Sequence, residues 1–215
     1  DKKVLGHEAC SFKYFLKTIS FFQGSLLNYS KIAKSYDIAR RTVLDYIKVT
    51  ERLLLSTKLP VFRWQNKRDV FKHSKFYFLD AGLYQTIRPN YVADNKQLIE
   101  KYALETLVLQ HLRAWLDYSD LSGKLYYWRT RRELEVTFVI HGDIGFYGIK
   151  VKNSTDISIS DLRTLKSFSE DYPQARCILL YRGQGSLIRG NILCLPIENF
   201  LLEMMPNRGL IEFVS

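Results

Sequence analysis

The sequence predicts an α+β protein in two parts: a basic, helical region over residues 1–93 and a mixed αβ domain over residues 94–215. Three observations carry this. From Phe12 to Leu54 apolar residues recur at the helical spacings of three and four. Between Leu125 and Ser154 the period changes to the two that belongs to strands. Charge divides along the same line: residues 1–90 hold 17 Lys and Arg against 7 Asp and Glu, and residues 91–215 hold 15 of each. The net charge of +10 therefore lies wholly in the first part. That is the footprint of a region that meets nucleic acid or an acidic partner, and also of a merely soluble basic surface.

With 215 residues, 47% hydrophobic and 25% charged, the composition is that of one large or two small globular domains. No apolar run is long enough to span a bilayer, and no charged start is followed by an apolar core. A cytoplasmic protein that does not enter the membrane is expected. The chain begins at Asp1 rather than Met, so a fragment of a longer polypeptide is expected, although tag removal or processing would give the same start. Cys10, Cys177 and Cys194 are far apart, and His7, His73, His111 and His141 are scattered. That spacing speaks against a disulfide framework and a structural zinc site, and predicts buried or free thiols in a reducing compartment.

Taking the elements in order, Ser11–Phe22 has the stripe Phe12, Phe15, Leu16, Ile19 and Phe22 of an amphipathic helix, with Gly24 placed to end it. Ser30 is expected to cap a short helix, Lys31–Tyr36. After a turn at Asp37, a longer helix runs from Arg40 to Leu54. Its expected inward stripe is Val43, Leu44, Ile47 and Leu54, and Arg41, Asp45, Lys48 and Arg52 line the opposite face. A short helix, a tight turn and a second helix with a basic outer face form a helix-turn-helix pattern. Such a helix could lie in a major groove with Arg40, Arg41 and Thr42 nearest the bases or phosphates. Asp45 on that face would repel phosphate, and a solvated helical pair has the same pattern. Lys58–Lys75 follows as an irregular segment or β-wing, able to grip phosphates through Arg63, Lys67 and Arg68. Phe76–Leu79 is a strand. Pro89 and the polar stretch to Gln97 form the expected linker.

From Leu98 the predicted order is α-β-β-β-α-β-β-α. The first helix, Leu98–Trp115, buries Ala103, Leu104, Leu107, Val108 and Leu112. Glu105 falls close to that stripe, either as a ligand in a site or as an edge residue facing water. Three strands follow: Leu125–Arg129, Leu134–His141 and Phe146–Lys152. Glu133, Glu135 and Thr137 share one strand face, as do Lys150 and Lys152. Then come a helix, Asp161–Tyr172, with Ser160 as its expected N-cap, and a buried apolar strand, Arg176–Tyr181. A short strand, Ile192–Leu195, and a helix, Ile197–Glu203, with Pro196 in the first turn, complete the order. A hairpin set among helices argues for a mixed sheet flanked by helices.

These blocks carry a resemblance. LLNYSKIAKSYDIARRTVLDYI, KFYFLDAGL, ALETLVLQHL, LYYWRTRRELEVTFV, IKVKNS, LRTLKSF, LLYRG and LPIENF occur in an order similar to the C-terminal half of bacterial and archaeal AAA-type ATPases. The resemblance implies a winged-helix-like N-terminal half. It also implies an αβββαβ C-terminal domain of the PD-(D/E)xK nuclease-like, or restriction-endonuclease-like, fold. The family's ATPase module has no counterpart, because no GxxxxGK[ST] loop occurs. ATP would be bound only by an upstream module.

Carried over residue by residue, the family's helix glutamate falls on Glu105. Its Glu-Val-Asp-Phe motif becomes Glu135-Val136-Thr137-Phe138, and its Glu-Val-Lys motif becomes Lys150-Val151-Lys152. Two of the three acidic positions are lost. Mg²⁺ requires hard anionic oxygen ligands, and a lysine at one of them repels it. The implication is a vestigial site at Glu105, Glu135, Thr137, Lys150 and Lys152, with no metal and no catalytic residues. Lys150 is expected to pair with Glu135 or Glu105, and phosphate affinity could persist through Lys150, Lys152, Arg129 and Arg131. The alternatives are a metal-dependent nuclease that keeps Glu105 and Glu135 as ligands, and a protein-interaction module of the ATPase. The partners that follow are duplex DNA, the upstream ATPase module or another protein.

Overall fold

The structure, a computed structural model, describes residues 12–64, 73–89 and 95–212. Among them are seven helices, a two-stranded sheet and a mixed six-stranded sheet. They divide into two units: residues 12–59 with 73–106, and residues 60–64 with 107–212. The division falls within one long helix, between Thr106 and Leu107.

The first unit begins with α1, residues 12–19, and a 3₁₀ turn, Ser20–Phe22. Helix α2 is Tyr29–Ser35 and α3 is Arg40–Arg52. The cap of α2 is Asn28, not Ser30: its side chain accepts the Lys31 N–H at 3.0 Å, so the helix starts two residues before the expected Lys31. Ala39 leaves α3 without a side-chain cap. Val43 and Ile47 are buried as the stripe requires, but Leu44 is only half-buried. Leu54 is 73% exposed and lies past the helix end at φ +56°. It cannot continue the stripe, because the helical period stops at Arg52. Strands β1, Ser56–Leu59, and β2, Lys75–Phe78, pair antiparallel. Helix α4, Ala81–Ile87, is capped by Asp80, which accepts the Leu83 N–H at 2.5 Å; no apolar stripe announces so short a helix. The core joins Phe15, Ile19, Ile32, Val43, Ile47, Phe76, Phe78, Tyr84 and Ala103. The last of these is on α5, Lys96–Tyr118.

In the second unit the sheet order is β3-β4-β5-β6-β8-β7. The strands are β3, Gly123–Arg129; β4, Glu135–Gly142; β5, Gly145–Val151; β6, Arg176–Tyr181; β7, Leu187–Arg189; and β8, Ile192–Pro196. Strands β3 to β5 form an antiparallel meander. Strand β6 lies parallel to β5 and to β8, and β7 closes that edge antiparallel to β8. The parallel pair needs a crossover, which α6, Ile159–Asp171, supplies. Strand β6 sits between two parallel neighbours, and its residues from Cys177 to Tyr181 are all buried. Gly148 lets α6 approach: a Cβ there would stand 2.6 Å from the Phe168 ring. On the 107–118 part of α5, Trp115 packs edge-on against Tyr147 at 6.4 Å. The chain then passes from β8 into α7, Ile197–Leu202, with Pro196 as N-cap rather than within the first turn. Among the described residues no helix is long and apolar enough to cross a membrane.

Candidate functional site

The basic face expected on the second helix is present on α3. Arg40, Arg41, Lys48 and Arg52 are exposed and Thr42 is half-buried. Asp45 sits among them and is paired, with Arg41 Nε at 3.1 Å and Lys48 Nζ at 3.8 Å. Ion pairs this exposed contribute little to stability, but they partly neutralise two of the four cations. Glu51, on the same helix, is engaged by Lys58 at 2.9 Å. Arg63 is exposed and belongs to the second unit, whereas Lys67 and Arg68 lie outside the described residues.

Glu105 is not an edge residue facing water. It is 1% exposed in the first unit, where the Tyr77 hydroxyl donates to its Oε2 at 2.9 Å and Lys101 stands 3.7 Å from Oε1. Beside it Gln23 spans two elements. Its amide donates to Thr106 Oγ1 at 2.6 Å, and its carbonyl accepts the Phe78 N–H at 2.8 Å. These bonds tie the 3₁₀ turn, β2 and α5 together through satisfied buried polar groups.

The remaining positions lie in the second unit. Thr137 is 4% exposed, and its hydroxyl oxygen accepts the Val151 N–H at 3.2 Å, so it serves the sheet. Glu135 faces Arg129 at 3.5 Å; the same guanidinium reaches Glu133 at 3.2 Å. Lys150 stands 3.8 Å from Asp161 and 3.4 Å from Thr164 Oγ1. Lys152 makes a close ion pair with the other oxygen of Asp161 and lies 3.4 Å from Ser158 Oγ.

Asp161 is therefore the carboxylate on which both lysines converge, and sequence reasoning did not single it out. Its signal was available as the spacing Ser158-x-x-Asp161. Ser158, not Ser160, is the N-cap of α6, because Asp161 reaches back to accept the Ser158 N–H at 2.9 Å and Ile159 and Ser160 are already helical. Burial acts to raise the Asp161 pKa. Hydrogen bonds from Lys152 and Ser158, with the Lys152 charge, outweigh it and hold the carboxyl below its ordinary value. Tyr127, on β3, is pushed up to about 12, first by burial and then by Glu135, against the opposing charges of Arg129 and Arg63. Burial likewise raises the Cys177 thiol to about 12, as suits a buried free cysteine.

The donor set of the second unit does not suit the Mg²⁺ ion that the nuclease resemblance implies. Thr137 has given its oxygen to a backbone N–H, Glu135 faces a guanidinium, and two ammonium groups occupy Asp161. Among the described residues no three His, Cys, Asp or Glu come together as a metal-holding group.

Comparison with known proteins adds the following. Residues 101–200 match a family described as a domain of unknown function (DUF4143), and residues 3–92 match another domain of unknown function (DUF8612). The chain is similar to uncharacterized proteins of Mycobacterium tuberculosis and Mycobacterium bovis, each 26% identical over 190 residues. The match covers 85% of this chain and 41% of each relative, so the chain spans about two fifths of their length. No solved structure matches the chain.

Proposed function

We propose that this chain is a non-catalytic, DNA-binding regulatory region of an AAA-type ATPase. A winged helix-turn-helix makes the nucleic-acid contact and a nuclease-like domain serves as scaffold. The observation that carries the proposal is the outward face of α3. It presents Arg40, Arg41, Lys48 and Arg52 to solvent on the second helix of the α2–α3 pair, with Val43 and Ile47 buried behind them, which supports a helix-turn-helix reading. The antiparallel β1–β2 pair that follows α3 supports the reading of a wing. The order α5-β3-β4-β5-α6-β6 supports the nuclease-like ancestry. Engagement of Lys150 and Lys152 by Asp161 supports a scaffold without metal chemistry. DUF4143 is a domain found in AAA-ATPase-associated proteins, which supports the ATPase setting. ATP and its Mg²⁺ are assigned to a module beyond these residues, because the sequence has no P-loop.

The test is a titration of duplex DNA at increasing salt. Phosphate contacts release counterions, so the logarithm of the binding constant is expected to fall linearly with the logarithm of salt. Each of Arg40→Ala, Arg41→Ala, Lys48→Ala and Arg52→Ala should reduce that slope by about 1. Binding no tighter than that of an equally basic control protein, or unchanged in the fourfold variant, overturns the proposal.

A further inference from the structure

The segment Pro60–Trp64 lies along a sheet edge, joined to it by one isolated bridge. After β1 it runs beside the outer edge of β3, parallel to it at Val61 and Tyr127. The Tyr127 N–H donates to the Pro60 carbonyl at 2.9 Å, and the Phe62 N–H donates to the Tyr127 carbonyl at 2.6 Å. Phe62 belongs to the hydrophobic core of this unit, Val61 and Trp64 pack against that core, and Arg63 between them is exposed. Phe62 is 3% exposed, and its ring is surrounded by Tyr126, His141, Phe146 and Tyr172 at centroid distances of 5.3–5.5 Å. Arg63 points to solvent. Trp64 turns back in, against His141 at 4.7 Å and Phe146 at 5.7 Å, and its carbonyl accepts the Tyr172 hydroxyl at 3.5 Å. Every other described part of this unit comes from residue 107 onward, so these five residues come to the sheet edge from a distant part of the chain.

Two ladder hydrogen bonds with aromatic side chains in receptive surroundings at alternate positions are the elements of peptide recognition by strand addition. We propose that the β3 edge, with the ring of Tyr126, His141, Phe146 and Tyr172, is a peptide-recognition groove. It is filled in cis by Pro60–Trp64, with Phe62 buried in it, and takes an extended partner segment with aromatics at positions i and i+2 when that segment is displaced. The cis strand is then an autoinhibitory contact. The groove selects an aromatic-x-aromatic partner because Phe62 and Trp64 enter it and Arg63 does not. This proposal is independent of DNA binding by α3.

The experiment uses the full chain and the peptide Pro-Val-Phe-Arg-Trp with free ends blocked, compared with a scrambled peptide. Amide hydrogen exchange is followed at Phe62 and Tyr127. In excess peptide the Phe62 amide of the chain is expected to exchange about tenfold faster or more, because its strand has been displaced. The Tyr127 amide should stay protected, because the incoming strand accepts from it. A Phe62→Ala/Trp64→Ala chain should bind the labelled peptide more tightly than the wild type, since its own strand competes less well. If the peptide leaves both amides of the wild-type chain unchanged at saturating concentration, or the scrambled peptide acts equally, the segment is fixed packing and the proposal fails. The wild-type exchange measurement decides the matter even if the double variant does not fold.

Discussion

At the scale of single residues, Asp161 is the carboxylate on which two lysines and a helix cap converge. It accepts from Ser158 at the start of α6 and pairs with both Lys150 and Lys152 on β5. Asp161→Ala should therefore cost about 1–2 kcal/mol at neutral pH, the scale of a lost helix-terminal cap. Its folded-state pKa is lowered, so its contribution is complete above the unfolded value of about 3.9 and is lost as pH falls through the lower folded value. Urea unfolding of wild type and variant should differ at pH 7, and the two should converge in acid. A difference that stays constant into strong acid would exclude the charge as its source. Tyr77→Phe probes the other buried carboxylate: it removes the hydroxyl that donates to Glu105, and a loss of about 1–2 kcal/mol is expected from denaturant titration.

At the scale of elements, the end of α3 contains an uncommon arrangement. Leu54 takes φ +56°, the position where helices usually carry glycine, and the next N–H, of Leu55, bonds back to the Thr50 carbonyl at 2.9 Å. A leucine in the left-handed region crowds its own Cβ and, being 73% exposed, gains little burial in return. Leu54→Gly should raise stability, by roughly 0.5–1 kcal/mol, from relief of that strain less the greater chain entropy of glycine. Thermal unfolding checks the sign. An unchanged or lower midpoint would mean that the leucine makes up for its conformation through contacts of its own.

At the scale of the whole molecule, the dominant property is the placement of charge: +10 in residues 1–90 and zero beyond. Long-range attraction of a polyanion follows from such a distribution more than from any one contact. Asp45 works against it, holding Arg41 and Lys48 at 3.1 and 3.8 Å. On the proposed DNA-binding reading, Asp45→Asn should tighten duplex binding several-fold at low salt, with the gain shrinking as salt rises and screening shortens its reach. Fluorescence titrations at two salt concentrations read both effects. An equal affinity for variant and wild type at low salt would separate the α3 face from the binding surface.

Much of the architecture was legible before any coordinates. The run Arg176–Tyr181 has no polar alternation after its first residue, and it is the buried strand β6 between two parallel neighbours. The period of two from Leu125 to Ser154 gave the meander, and the stripe Val43–Ile47 gave the buried side of α3. Periodicity records which face of an element is buried, but not what lies against it. For that reason only the tertiary structure decided that Glu105 answers to Tyr77, that Lys150 and Lys152 converge on Asp161, and that Thr137 holds a backbone N–H. It alone decided that Pro60–Trp64, read from sequence as part of an irregular segment or β-wing, lies on the edge of β3. Each of these depends on residues brought together from distant parts of the chain or from neighbouring elements, and packing rather than local pattern selects such partners. Residue type and spacing by themselves determined most of the elements, most of their buried positions and the part of the chain that carries the charge, but not α4 or the exposure of Leu54 and Leu107. The choice of partner for each buried polar group required the fold.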